Sequence, residues 1–432
     1  MSTQYADALA RLYALQSRGM RFGASRMASA LALRGHPERG QRFVHVAGTN
    51  GKGSVSAMIE ASLRAAGYRT GLFTSPHLHR FVERVRIAGR PIGDAEASAR
   101  VRDVLAASAA WGEPESTFFE LTTLLALESF RDHRCDVVVL EVGLGGRLDA
   151  TNAVTPELSV ITTIALEHTE ILGGTHAAIA REKAGILKPG VPAVVGVREP
   201  SARRVIARRA RAQGAPLALI DRDFGPLPDA RAGRFAVRVG EQVLGGLRLA
   251  LHGAHQQDNA ACAVAALLQL RERGFDVGDD AMRKGLARVL WPARLERVAR
   301  VARRPAFLFD AAHNPEGAQV LAEFLQQNRA AGPRVLIFGA FADKDFGAML
   351  RVLRPHVDRI VYCPPPVWNA AKSSALRRCA PGIAARDVPD ALARARRAAG
   401  PRGEIVVAGS IYLVAAARAH VLGLRSDPPI RM

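Results

Sequence analysis

Lysine is nearly absent from a chain otherwise crowded with positive charge. Of the 60 lysines and arginines among 432 residues, only six are lysine: Lys52, Lys183, Lys188, Lys284, Lys344 and Lys372. Where arginine is the default cation, a lysine inside a motif brings what arginine lacks, a compact charge and a pKa that burial can move. Cysteine is scarce as well. Cys135, Cys262, Cys363 and Cys379 show no CxxC spacing and no pairing with histidine, which argues against a disulfide framework or a structural zinc site. They suit reduced, mostly buried thiols in a cytoplasmic protein. Long apolar runs are also missing. Stretches such as Ala260–Leu268 fall well short of the ~18 residues a membrane span needs. Met1–Arg11 lacks the basic-then-apolar pattern of a signal peptide. These absences predict a cytoplasmic chain with no membrane partner.

What is present fits a globular enzyme. Hydrophobic residues make up 48% and charged residues 23%, ordinary proportions for a folded chain. The length exceeds one ordinary core and predicts two domains. The net charge of +20 raises a nucleic-acid-binding NTPase as an alternative. Yet the arginines are spread along the chain, dense only at Arg203–Arg211 and Arg394–Arg397, both inside helical patterns. No RNP, zinc-finger or helix-turn-helix signature accompanies them. A solvated, arginine-rich surface explains the charge, and its field would draw in polyanionic small molecules rather than nucleic acid.

Apolar strand-like runs alternate with longer helical ones, which predicts α/β architecture with largely parallel sheets. Strands are expected at Arg42–Ala47, Thr70–Thr74, Asp136–Leu140, Leu158–Ile164 and Pro192–Val197. Phe235–Leu251 reads as appended hairpin structure around Gly240 and Gly245–Gly246. The pattern breaks near Trp291–Arg300, and a fresh alternation begins at Ala306–Phe309. The expected division is a large N-terminal P-loop-type parallel-sheet domain over 1–294 and a smaller C-terminal Rossmann-like α/β domain over 295–432.

The sharpest local signal is Gly48–Thr49–Asn50–Gly51–Lys52–Gly53–Ser54, between an apolar strand and a helix starting near Val55. Three glycines let backbone N–H groups turn toward an anion, and the helix N-terminus adds its positive end. Lys52 then reaches outer phosphates, and Ser54 orients phosphate or metal. The spacing departs from GxxxxGK[ST], because Gly53 separates lysine from serine. Acidic and polar residues are expected at neighbouring strand ends, where ligands collect in parallel sheets. Ser75, Glu141 and His168 each follow an apolar run and are candidates to hold Mg²⁺ against a triphosphate. Thr117–Phe118–Phe119–Glu120 matches a capping box, which by itself explains the threonine and the glutamate. His313–Asn314–Pro315 matches a helix start, with Asn314 as cap and Pro315 in the first turn. Asp343–Lys344–Asp345 reads equally as a capping loop or a site element.

These segments carry a resemblance. GTNGKGS at 48–54, TSPHL at 74–78, EVGLGGRLDATN at 141–152 and REKAGI at 181–186 resemble the dihydrofolate synthase/folylpolyglutamate synthase family of Mur-type ligases. DNAA at 258–261, PARLE at 292–296 and DAAHNP at 310–315 extend the likeness over nearly the whole chain. Other Mur-type ligases, which join amino acids to cell-wall precursors, share the phosphate loop. The TSPHL and GLGGRLDATN segments are closer to the folate branch.

The resemblance implies ATP-dependent ligation of L-glutamate to dihydropteroate and to reduced folates through an acyl phosphate, by a monomer using Mg²⁺. It implies that Thr49, Asn50, Gly51, Lys52, Gly53, Ser54, Asn259, Arg294 and Asp310 bind ATP. Ser75, Glu141, His168 and a carbamylated Lys183 would hold the metal. Thr117, Phe118, Phe119, Glu120, Leu148, Asp149 and Ala150 would line the dihydropteroate or folate site. Lys52, Lys183 and His313 would be the catalytic group. From the residues alone, Lys183 reads instead as a surface lysine paired with Glu182 or with phosphate. Two departures stand out: Glu167 precedes His168 where the family has aspartate, and Ala311 stands in place of valine.

Overall fold

A computed structural model describes residues 3–15, 24–111, 116–299 and 305–428. The chain forms two compact units. The first comprises Met1–His77, Val82–Ala250 and Ala254–Leu290; the second comprises Leu78–Phe81, Leu251–Gly253 and Trp291–Met432. A linear division at 294/295 could not contain the two short segments, which lie far from the rest of the second unit in sequence. Arg300, at the end of the expected break, lies outside the described residues.

The first unit is built on β1 (Phe43–Ala47), β2 (Thr70–Phe73), β3 (Val85–Ile87), β4 (Arg90–Pro91), β5 (Val137–Glu141), β6 (Leu158–Ile161), β7 (Ala193–Val195) and β8 (Leu217–Leu219). Their order in the sheet is β4-β3-β2-β5-β1-β6-β7-β8. From β2 to β8 all pairs are parallel, and β3 and β4 add an antiparallel edge. Strands covered on both faces need continuous apolar runs, and Val137–Leu140 is buried at every position. The helix Lys52–Ala65 packs against His255–Glu272 and Asp279–Arg288. Gly285 is required at one of these crossings, since a methyl group there would run into the backbone of Ser62. The expected hairpin is part of a three-stranded antiparallel sheet: β9 (Phe224–Pro228), β10 (Phe235–Val239) and β11 (Gln242–Leu247).

The second unit holds β12 (Glu296–Val298), β13 (Ala306–Phe309), β14 (Arg334–Phe338), β15 (Arg359–Tyr362), β16 (Ile383–Ala384) and β17 (Glu404–Ala408), ordered β12-β13-β17-β14-β15-β16. Only the β12 edge is antiparallel. One core gathers Leu321, Leu325, Phe338 and Leu350, and another gathers Phe307, Phe309, Leu392 and Leu413. Sheet with apolar cores on both faces is the α/β arrangement expected. No described helix is long and apolar enough to cross a membrane. Three of the cysteines are buried free thiols, and Cys379 is exposed.

Candidate active site

The strand order brings the sequence candidates of the first unit to one edge. Reading across β2, β5, β1 and β6, the segments at their carboxyl ends carry Ser75, Glu141, Gly48–Ser54 and Thr162–His168 in turn. The register places Val46 opposite Glu141 and Ala47 opposite Ile161, so β1, β5 and β6 end nearly level. Such an edge is where ligands sit in parallel α/β sheets.

The phosphate loop is fastened from β6. Thr49 N donates to Thr163 O (2.8 Å), Asn50 N to Thr163 Oγ1 (2.9 Å), and Thr162 Oγ1 to Asn50 O (2.7 Å). Gly48 has φ +148°, and a side chain there would collide with Thr162 Oγ1. Gly51, at φ 86°, precedes the helix and offers no side-chain cap, which leaves the first helical amides for an anion. Asn259 Oδ1 packs directly over Gly51. Its Nδ2 donates to Gln256 Oε1 (2.9 Å), and Gln256 Nε2 lies 3.5 Å from Ser54 Oγ. Thr162, Thr163 and Gln256 were not singled out from the sequence. Threonines just past a strand end and a glutamine in a helix carry no local signal of this role.

Two lysines converge on one carbonyl. Lys52 Nζ donates to Gly48 O and Thr49 O, both at 3.1 Å, and Lys183 Nζ donates to the same Gly48 O at 2.8 Å. Lys183 is 5% exposed. Burial first, and then the neighbouring charge of Lys52, push its pKa down to about 7, with Glu167 and Asp149 opposing. The Lys183–Glu182 surface pair is not what forms. Glu182 takes a bidentate pair from Arg147 instead (3.1 and 3.2 Å from Nε), while Lys183 turns inward.

Glu141 is 4% exposed and accepts from Ser75 N at 3.2 Å. His168 is exposed at φ 51°, ahead of the short helix Thr169–Leu172, and makes no side-chain cap to it. Among the described residues, no three His, Cys, Asp or Glu side chains cluster as a metal site on their own. The predicted set contains only two such residues, Glu141 and His168. A hard cation there would therefore also draw on the Ser75 hydroxyl, an oxygen donor of the kind Mg²⁺ prefers.

The segments assigned to the pterin are largely committed to protein partners. Thr117 and Glu120 form the full capping box: Thr117 N to Glu120 Oε2 is 2.9 Å, and Glu120 N to Thr117 Oγ1 is 3.2 Å. Glu120 also takes Arg26 at 2.9–3.0 Å. Phe118 and Phe119 face different surroundings, because consecutive helix positions point about 100° apart. Phe118 is buried near Tyr13 and beneath Arg84 (5.1 Å), whereas half-buried Phe119 meets Phe73 (5.9 Å) and covers Gly143. Asp149 is buried and bonded within its own loop. One oxygen accepts from Leu144 N (2.9 Å); the other accepts from Thr151 N (3.0 Å) and Thr151 Oγ1 (2.5 Å), stapling the loop between them. Beneath it, His45 Nε2 donates to Thr151 Oγ1 (2.8 Å), and burial pushes its pKa down to about 3. Leu148 is half-buried and Ala150 buried.

In the second unit, Asp310 also works inward. Its carboxylate accepts from Leu295 N (2.8 Å) and Ala312 N (2.9 Å), and burial raises its pKa. The first of these bonds secures a turn in which Ala293 (φ 60°) and Leu295 (φ 47°) flank Arg294 in left-handed backbone. His313 Nδ1 donates to Ala311 O (2.8 Å), which fixes that tautomer for the neutral ring. Asn314 caps Pro315–Gln327 through Gly317 N (2.8 Å), as its sequence suggests. Asp345 caps Phe346–Leu353 through Ala348 N (2.9 Å).

Known proteins resemble this chain over most of its length. Residues 46–267 match the Mur ligase middle domain, and residues 293–411 match the Mur ligase glutamate ligase domain. The chain is 39% identical to the dihydrofolate synthase/folylpolyglutamate synthase of Bacillus subtilis, covering 82% of this chain and 83% of that protein. It superimposes on E. coli FolC in complex with DHPP and ADP with a TM-score of 0.88 and 34% identity, over 97% of this chain and 98% of that one. A bifunctional folylpolyglutamate synthase/dihydrofolate synthase with Mn, AMPPNP and L-glutamate bound gives 0.85 at 34% identity, over 96% and 98%.

Proposed function

This chain belongs to the dihydrofolate synthase/folylpolyglutamate synthase family of Mur-type ligases, and we propose from that premise that it joins L-glutamate to dihydropteroate and to reduced folates at the expense of ATP. The observation that carries the reading is the meeting of Lys52 and the buried, near-neutral Lys183 at the Gly48 carbonyl.

The γ-phosphate of ATP passes to the substrate carboxylate, giving an acyl phosphate and ADP. The amine of glutamate then attacks the acyl carbon, phosphate leaves, and an amide remains. Phosphoryl transfer depends on positioning and charge neutralisation rather than on a protein nucleophile. Thr49–Ser54 supply backbone amides for the phosphates, Lys52 a mobile charge, Asn259 the cover over Gly51, and Arg294 a second cation for the nucleotide. Lys52 Nζ is held by the Gly48 and Thr49 carbonyls, so reaching a phosphate exchanges bonds to neutral backbone for a charged partner.

Ser75, Glu141 and His168 would hold Mg²⁺, together with a carbamate formed at Lys183. The cation supplies neutralisation of phosphate charge when bound. An amine with a pKa about 7 is substantially unprotonated at neutral pH, as capture of CO₂ requires. The folate site is read at the same edge beside Phe119 and Leu148, with Asp149 and the Thr117–Glu120 cap shaping it from behind. His313, held through Nδ1 by Ala311 O, is assigned beside the reacting groups. We read the protein as a cytoplasmic monomer, in keeping with its reduced cysteines.

Incubation with ATP, Mg²⁺, glutamate and either dihydropteroate or a reduced folate tests the reading. Products heavier by one glutamyl residue are expected from both acceptors. Extension of reduced folates without any product from dihydropteroate removes the bifunctional part.

A further inference from the structure

The segment Leu78–Phe81 follows Ser75–His77 directly, yet it belongs to the second unit. Leu78 packs against the core containing Phe307, Phe309 and Leu413. The carboxyl-terminal tail closes over the rest. Asp427 N donates to His79 O (2.8 Å), and the Asp427 carboxylate accepts from Phe81 N (2.7 Å) and pairs with Arg80 Nε (3.6 Å). That carboxylate side chain is 1% exposed.

Arg418, on the helix Ile411–Leu422, joins this strap to a second feature. Its NH1 lies 2.8 Å from His79 Nε2, whose Nδ1 is 3.3 Å from Ser426 Oγ. Burial, then Arg418 itself, push the pKa of His79 down to about 4. The neutral ring therefore accepts from Arg418 at Nε2 and donates from Nδ1. The remaining guanidinium nitrogens fork onto Glu296, with Nε to Oε2 and NH2 to Oε1 both at 2.8 Å. Glu296 Oε2 accepts from Ala293 N at 2.8 Å, at the foot of the left-handed turn that carries Arg294. Left-handed backbone at non-glycine residues persists only where the surroundings over-determine it.

We infer that Arg418 and Asp427 are positioning residues for the ligation. Together they grip the Arg294 turn, through Glu296, and the 78–81 strap, which leads back along the chain to Ser75. The inference rests on the proposed roles of Arg294 at the nucleotide and Ser75 at the cation. A forked arginine–carboxylate pair fixes angle as well as distance, and small displacements of a reacting constellation are costly in rate.

The test compares full-length Asp427→Ala, Asp427→Asn and Arg418→Lys with Arg294→Ala and Ser75→Ala. The readouts are kcat, KM for ATP, the Mg²⁺ concentration for half-maximal rate, thermal midpoint, and ADP binding by calorimetry. Asp427→Ala and Arg418→Lys are expected to lose about tenfold in kcat with ADP affinity unchanged. Their midpoints should stay within about two degrees of the parent. Asp427→Ala should also raise the Mg²⁺ requirement. Asp427→Asn, which keeps an acceptor for Phe81 N, should recover most of the loss; a lysine at 418 cannot fork Glu296 and reach His79 together. Parent-like kinetics in Asp427→Ala and Arg418→Lys, with losses in Arg294→Ala and Ser75→Ala, overturn the inference alone. Losses that track falling midpoints and ADP binding overturn it as well, since they describe a purely structural role. Parent-like Arg294→Ala and Ser75→Ala overturn the underlying assignment, and the inference with it.

Discussion

Replacing Lys183 by methionine should abolish ligation and at the same time make the ligand-free protein more stable below neutral pH. Methionine matches the lysine stem in length and is tolerated in apolar gaps. Gly48 O keeps a partner after the change, because Lys52 Nζ already lies 3.1 Å away. The folded protein holds the Lys183 pKa near 7 against 10.5 in the ordinary state. Between those values the unfolded chain binds a proton that the folded chain does not, so stability rises with pH across that window. Below about pH 7 both states are protonated, and the folded state carries the full cost of a buried ammonium beside Lys52.

The shift corresponds to about 5 kcal/mol as a ceiling. Loss of the bond to Gly48 O offsets about 1 kcal/mol of it, and relaxation around the ammonium removes a further share. A net gain of about 1–3 kcal/mol is expected at pH 6, or a few degrees in thermal midpoint. The gain should shrink steadily as pH is raised toward 10. Scanning calorimetry of both proteins in carbon-dioxide-free buffer from pH 5.5 to 9.5 measures it, alongside ADP release in the presence of bicarbonate. Equal or lower stability of the variant at pH 6, or activity within severalfold of the parent, would refute the reasoning.

Lys52→Ala should remove ADP formation and leave the melting profile within about 0.5 kcal/mol of the parent, because its side chain bonds to two carbonyls of its own loop. Phe119→Ala should impair dihydropteroate ligation more than folate extension, whereas Phe118→Ala should cost about 3 kcal/mol of stability through the buried contacts with Tyr13 and Arg84. Product ratios and denaturant midpoints separate the two; equal losses in both reactions for Phe119→Ala would confine that ring to packing. Gly285→Ala should destabilise by about 1–3 kcal/mol, since the added methyl meets the Ser62 backbone of the facing helix, and urea unfolding reads it directly.

The phosphate loop was legible because its chemistry is local: three glycines, a lysine and a serine between a strand and a helix. Asn314 and Thr117 were legible for the same reason, as caps depend on spacing within one turn. Strand order was not legible, yet it brings Ser75, Glu141 and the phosphate loop to one edge, because parallel strands are paired by contacts distant in sequence. The direction of a carboxylate was equally hidden. Asp149 and Asp310 stand in motifs that suggest ligand contact, but both spend their oxygens on nearby backbone amides. Glu182 illustrates the same limit, turning to Arg147 rather than to its neighbour Lys183. The 78–81 strap could not be foreseen either, since its partners Arg418 and Asp427 are more than three hundred residues away along the chain.

The central claim is that this site spends ATP to attach glutamate to a pteroate carboxylate, with the phosphate loop and Lys183 as its working parts. Mass analysis of a single reaction containing ATP, Mg²⁺, bicarbonate, glutamate and dihydropteroate tests it most directly. We predict one glutamyl residue added per ADP and phosphate released, and no product with Lys52→Ala. ATP hydrolysis without a glutamylated product, or product formation undiminished in Lys52→Ala, would contradict it.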